Sequence, residues 1–357
     1  MTDATANGTR KPLPENTKHL LSKMLELSSH SVSPLILIYG NPDPDALASA
    51  LALKTILDKS GCTASIGYTG VVGRPENASM IRHLHIPARP ASDAVLRGAD
   101  LIAMVDAQPQ FFADVDLPRC DIVIDHHPMK MGRPAALTDI RPNYAATSSI
   151  MTEYMRAAGV KLTPRLASAL YYGIKVDSRH FMGDLSPWDV EAIRWLRSKA
   201  DRDIVKRIEF SQFSDEALEY FSMALVRRRF VGGVIFAHLG PVPFTDVCVQ
   251  VADFLIRVEH VSWALVTGVV GNTLVVVFRN DGMKKDAGKL ARDAFDRVGS
   301  AGGHKSMGRA EINQSSLPEG LLLTDNRGVE RFVIGSLADA DPAFKPLSRS
   351  IGKSRGR

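Results

Sequence analysis

The chain has 357 residues, 45% of them hydrophobic and 23% charged, with a formal charge of +5 at pH 7. This length exceeds one ordinary domain and predicts two. Cys62, Cys120 and Cys248 are too few and too scattered for a zinc knuckle or a disulfide framework, which points to a reducing compartment. No stretch approaches about 18 consecutive apolar residues. The polar opening MTDATANGTRKPLPEN lacks the pattern of a signal peptide, so a cytoplasmic location is expected. The mild excess of positive charge suits anionic ligands without specifying one.

Residues 1–15 are expected to be disordered. TKHLLSKMLELSS then shows helical apolar spacing. PLILIY is a short apolar run of buried-strand type, and DALASALALKTILDKSG is a helix ending at Gly61. TASIGYTG, ADLIAMVDAQ and CDIVIDHHP read as further strands, and TSSIMTEYMRAAG and TPRLASALYYGIKVDSRHF as helices. Alternating strands and helices predict an α/β fold with a largely parallel sheet, whose ligands bind beyond the carboxyl ends of the strands. Residues 187–230 read as a charged helical connector. A smaller α/β unit follows, with strands GGVIFAHL, WALVTGVV and NTLVVVFR and helices DVCVQVADFLIRV and KDAGKLARDAFDRV. The expected boundaries are 16–186, 187–230 and 231–335. The basic end, 336–357, is expected to be disordered because KPLSRSIGKSRGR lacks apolar periodicity.

Residues 39–46, YGNPDPDA, crowd Asp43 and Asp45 into a turn directly after a buried strand. Asn, Pro and Asp favour surface turns, which is the plain reading of this stretch alone. Two other predicted strands also end in acid: MVDA at Asp106 and VIDHHP at Asp125, His126 and His127. Like charges about 4 Å apart repel by roughly 4 kcal/mol at an effective dielectric near 20. No Lys or Arg lies within these motifs, so divalent cations are the economical counter-charge. Carboxylate and imidazole donors without thiolate favour Mn²⁺ or Mg²⁺, and several carboxylates allow two ions to share one.

On these residues the chain resembles the DHH phosphoesterase superfamily. NPDPDALAS, MVDA, IDHHP and GIKVDSRHF stand in the order of that family's four motifs. The second half, with FRNDG, DAGKLA and GSAGGHKSMGRAEI, resembles the DHH-associated substrate-binding domain. The resemblance implies an active site in the interdomain cleft. It implies that Asp43 holds a first metal and Asp45 a second, that Asp106 bridges them, and that His126 and Asp177 complete the ligand set of the second metal. His127 would face the scissile phosphate, and Asp125 would orient the histidines. Arg279, Gly302, Gly303 and His304 would contact the substrate, the glycines through a nest of backbone N–H groups. The rival reading of that loop is a tight turn between helix and strand.

One position departs from the family's pattern. Tyr39 stands where a metal-binding histidine is usual, and a neutral phenol is a poor ligand for Mn²⁺ or Mg²⁺. The first site is therefore expected to be weak. The expected function is Mn²⁺-dependent hydrolysis of small phosphorylated nucleotides or short single-stranded oligonucleotides by metal-activated water. The alternatives are an exopolyphosphatase or pyrophosphatase acting on phosphoanhydrides, and a catalytically weakened nucleotide sensor. No membrane partner and no sequence-specific DNA are expected, and the family admits a homodimer.

Overall fold

The computed structural model describes residues 14–112, 115–129, 135–210, 215–283 and 285–352. The chain divides into two compact units, residues 1–211 and 212–357. Among the described residues, no helix is long and apolar enough to cross a membrane.

The first unit opens with α1 (Glu15–Ser28), β1 (Pro34–Ile38) and α2 (Pro44–Lys59). β2 (Ser65–Tyr68), α3 (Pro75–His83), β3 (Ala88–Pro90), α4 (Asp93–Gly98) and β4 (Leu101–Val105) follow. A short 3-10 helix, Pro109–Phe112, leads to β5 (Ile122–Asp125) and β6 (Leu137–Ile140). Helices α5 (Thr147–Ala157), α6 (Pro164–Asp177), α7 (Pro187–Arg197) and α8 (Arg202–Glu209) complete the unit. All strand pairings here are parallel, in the order β3-β2-β1-β4-β5-β6. β1 is buried on both faces: Ile36 and Ile38 join one apolar core, Leu35 and Leu37 the other. This is the period-2 alternation of a strand covered on both sides. The chain leaves β1 towards one edge and later returns to lay β4 on its other side. The crevice beyond the carboxyl ends of β1 and β4 is thus the switch point at which open α/β sheets bind ligands. Asp43, Asp45 and Asp106 follow those two strands.

The second unit contains α9 (Asp215–Arg227), β7 (Arg229–Val231), β8 (Val234–Pro241), α10 (Asp246–Leu255), β9 (Trp263–Val270) and β10 (Thr273–Asn280). It continues through α11 (Ala287–Phe295), β11 (Ser300–Gly303), β12 (Met307–Asn313), α12 (Asn326–Ala340) and α13 (Lys345–Gly352). Its sheet runs β11-β12-β10-β9-β8-β7, antiparallel except for the β8–β9 pair. Segment 187–230 is divided between the units: α7 packs on α6, and α9 packs on β8.

The expectation of a disordered end at 336–357 is corrected for the described part, residues 336–352. This segment is helical and contributes to the core, because Leu337, Phe344 and Leu347 pack beneath the second sheet. Phe344 is fully buried, with its ring edge-on to Trp263 at 5.6 Å. Apolar residues spread over two short helical segments and the end of α12 escape a periodicity search tuned to one helix. Residues 353–357, and the expected disorder of 1–13, lie outside the described residues. Phe344→Ala is expected to destabilise the second unit by about 3–5 kcal/mol, the usual cost of deleting a buried aromatic ring. Urea denaturation checks this; a change within about 0.5 kcal/mol, the range of surface substitutions, would return the tail to the surface.

Candidate metal centre

The turn after β1 separates the two aspartates into different tasks. Asp43 is the N-cap of α2, its Oδ1 accepting from the Ala46 N–H at 2.9 Å, with Pro44 at the first helical position. Asp45, one residue into the helix, is fully buried and reaches across to the start of α5. Its Oδ2 accepts from the Thr147 N–H and its Oδ1 from the Ser148 N–H, both at 2.7 Å. α5 has no side-chain cap of its own, so Asp45 satisfies N–H groups that the helix leaves open. Close approach at this point requires glycine in α6. A Cβ at Gly173 would meet Ser148 Oγ at 2.5 Å and Asp45 Oδ1 at 3.2 Å.

Asp106 follows β4 in a left-handed conformation, φ +56°. Asp is among the few side chains that adopt this conformation readily. Its Oδ1 accepts from the Thr147 hydroxyl at 2.9 Å. Asp177, the last residue of α6, comes within 3.1 Å of His126 Nε2. One ligand atom each from Asp45, Asp106, His126 and Asp177 lies within 4.8 Å of all the others. A second, overlapping group combines Asp106, His126 and His127. Asp43 belongs to neither grouping.

Burial raises the carboxyls of this centre, and their mutual repulsion raises them further. Asp45 is pushed to about 6 by burial and then by the Asp177 charge. Asp106 is driven well above the usual range by burial, then by Asp45, Asp43, Asp177 and Asp125. Asp43 and Asp177 are also raised, first by burial. Burial alone would lower His126, but Asp177 and Asp45 outweigh it and hold the imidazole near 9. Asp125 moves the other way. Burial would raise it, but bonds from His127 and Gln108 keep it below the ordinary value.

The donor set fits a divalent cation. The Tyr144 carbonyl lies 3.2 Å from His126 Nδ1, so in the neutral ring the proton sits on Nδ1 and Nε2 keeps a bare lone pair. Nε2 is buried and makes no aligned hydrogen bond, although Asp177 Oδ2 at 3.1 Å and Asp106 Oδ1 at 3.5 Å surround it. A lone pair facing carboxylates is a repulsive arrangement that only a proton or a metal ion resolves. Tyr144 is itself fixed, its hydroxyl donating to Glu153 Oε1 at 2.7 Å within a buried network of Arg141, Asp139 and Glu153.

Asp125 anchors both histidines. Its Oδ1 accepts from the His126 N–H at 2.8 Å, the His127 N–H at 3.2 Å and His127 Nδ1 at 2.9 Å. The Gln108 side-chain amide donates to its Oδ2 at 2.7 Å. Tyr39 lies in an aromatic cluster beside the centre. Its ring packs against Phe112 at 4.9 Å and Phe111 at 5.9 Å and stays 45% exposed. Asn41 Oδ1 accepts from the Val71 N–H at 2.9 Å.

In the second unit, Gly302 and Gly303 are strand residues paired with Arg309 and Gly308 across a β-hairpin. The His304 N–H donates to the Met307 carbonyl at 2.7 Å, and the Gly299 N–H to Phe295 at 3.0 Å. These two N–H groups are thus spent within the fold rather than gathered into a nest. Gly303, at φ +139°, passes so close to Met307 that a Cβ would lie 2.2 Å from its carbonyl oxygen. The Arg279 guanidinium pairs with Asp253 at 2.5 Å.

Reading motifs alone misses Thr147, Ser148, Gln108 and Tyr144. They serve through backbone groups or through contacts with distant residues, and single short polar side chains carry no periodic signal.

Known proteins resemble the chain in sequence and in fold. Residues 35–174 match the model of the DHH family, N-terminal domain. An uncharacterized protein of Methanocaldococcus jannaschii is 36% identical over 279 residues, covering 78% of this chain and 57% of that protein. The chain thus spans just over half the length of this relative. An exopolyphosphatase-related protein from Bacteroides fragilis superposes with a TM-score of 0.71 at 16% identity, covering 94% of this chain and 99% of its own. At that identity the likeness concerns the fold. RecJ from Thermus thermophilus, solved with Mn²⁺, gives a TM-score of 0.48 at 14% identity over 94% of this chain and 60% of that one. By the match over 35–174, this segment of the chain belongs to the DHH family, N-terminal domain.

Proposed function

We propose that the chain is a divalent-metal-dependent phosphohydrolase, with Mn²⁺ as its ion, acting on small phosphorylated nucleotides or short oligonucleotides. The observation that carries this reading is the convergence of Asp45, Asp106, Asp177 and the buried Nε2 of His126. A divalent ion held there supplies Lewis acidity, lowering the pKa of water and offsetting charge on a phosphoryl oxygen. The chain's own groups orient the reaction. Asp125, itself held by Gln108, fixes the His127 ring through Nδ1, and in this reading the imidazole exchanges a hydrogen bond or proton with a phosphate oxygen. Asp43 joins through its second oxygen in this reading. Arg279, Gly302, Gly303 and His304 are proposed substrate contacts from the second unit. The description of the Bacteroides protein as exopolyphosphatase-related makes phosphoanhydrides the rival substrate class.

The test is turnover by chelator-treated protein resupplied with Mn²⁺ or Mg²⁺. The panel comprises a dinucleotide, 3′-phosphoadenosine 5′-phosphate, a cyclic dinucleotide and polyphosphate. Mn²⁺-dependent release of mononucleotide or phosphate from a nucleotide is expected. Turnover confined to polyphosphate selects the rival, and folded protein that cleaves none of the four overturns the enzyme in favour of a sensor.

A further inference from the structure

The proposed metal centre borders an aromatic cluster that none of its chemistry uses. Tyr39 directly follows β1, whose five residues are all buried, yet its own side chain is 45% exposed. Phe112 is buried in the core and holds the Tyr39 ring edge-on at 4.9 Å. Phe111, partly exposed, sits between Tyr39 at 5.9 Å and His127 at 5.8 Å, meeting the imidazole edge-on. An aromatic surface therefore runs continuously from solvent to the histidine proposed to face the phosphate. Its Phe112 end is anchored in the core, so the ledge is in place before any ligand arrives.

We propose that Tyr39 and Phe111 form a stacking ledge that takes the nucleobase whose phosphate lies at the neighbouring centre. This inference rests on the phosphohydrolase reading and deepens it by assigning the residues that select a nucleotide over an inorganic chain. A nucleotide places a flat π-face one sugar away from its phosphate. Inorganic polyphosphate has no such face and gains nothing from the ledge. Stacking tolerates any base, because every base has a π-face, so the selection is for nucleotides over inorganic chains rather than for one sequence. The phenol at position 39 then has a use that a metal-binding imidazole could not serve at the same time.

Binding to the full chain with Mn²⁺ is measured by calorimetry, using adenosine 5′-monophosphate, ribose 5-phosphate and tripolyphosphate. In the unaltered protein the nucleotide is expected to bind about 10-fold tighter than ribose 5-phosphate, within the range of one stacked base. Tyr39→Ala and Phe111→Ala should each remove most of that difference and leave ribose 5-phosphate affinity unchanged, while Tyr39→Phe keeps it. Equal affinity for nucleotide and sugar phosphate in the unaltered protein overturns the ledge without requiring any variant. A preference that survives both alanine variants also overturns it and leaves the phosphohydrolase reading standing. Binding of tripolyphosphate alone overturns the nucleotide reading together with the ledge.

Discussion

Asp106→Asn is expected to abolish Mn²⁺-dependent hydrolysis while making the metal-free protein more stable. Four other carboxylates raise Asp106, and its side chain is buried, so the ionised form is the most frustrated charge in the centre. Asparagine preserves shape, still accepts the Thr147 hydroxyl bond and tolerates the left-handed backbone at φ +56°. It removes only the charge. Activity should fall by at least about 10²–10³-fold, the size of loss when one element of a preorganised electrostatic site is deleted. Stability should rise by about 1–2 kcal/mol, the usual gain when a strained functional group is neutralised. That gain corresponds to a rise in Tm of roughly 2–8 °C at about 2–4 °C per kcal/mol. Scanning calorimetry in chelator, beside the hydrolysis assay, reads both effects. Asp106→Ala separates charge from backbone, since a Cβ without a local acceptor pays about 1–2 kcal/mol for the left-handed conformation. An asparagine variant that melts lower than the parent would show that Asp106 stabilises the fold rather than burdening it.

The same residues explain why so much of the centre was readable in advance. Asp106 and Asp125 each close an apolar run, and polar groups at the ends of buried strands stand out against the alternation around them. Asp177 was legible only through the resemblance of GIKVDSRHF to a family motif, because an aspartate at a helix end is ordinary. What sequence reasoning lacked was the pairing of Asp45 with the start of α5, about one hundred residues away. Backbone N–H groups have no residue type, so nothing in TSS announces that a carboxylate caps them. The strand formed by Gly302 and Gly303 was hidden for the opposite reason. Their composition suggests a loop, but the register with Gly308 and Arg309 recruits them into a strand where lack of a side chain permits close approach. Tertiary pairing decided that segment, as it often does for strands of weak local preference.

Metal binding should depend steeply on pH, and the direction follows from the shifts. Asp45 titrates near 6 in the fold against 3.8 unfolded, so the native state holds its proton more tightly. Stability of the metal-free protein therefore falls as pH rises from about 4 to about 6, and the loss persists above. His126 is raised from 6.5 to about 9, which contributes stability below 6.5 that disappears as pH climbs to 9. Both groups act in the same sense, so the empty centre becomes more burdensome across this window. Asp125, whose folded value is depressed, loses its contribution only as pH falls below the ordinary carboxyl range, outside the window. A divalent ion replaces those protons, and its affinity must rise as they leave. At pH 8, Mn²⁺ at about 100 times its Kd should add about 2.7 kcal/mol, and the same concentration at pH 5 should add far less. Thermal melts with and without Mn²⁺ at pH 5, 6.5 and 8 measure this directly. His126→Ala should flatten the profile between 6.5 and 9, because it removes the imidazole whose Nδ1 is committed to the Tyr144 carbonyl. A Mn²⁺ shift that is equal at all three values, or largest at pH 5, would mean that the ion binds elsewhere and that the four converging side chains hold protons rather than metal.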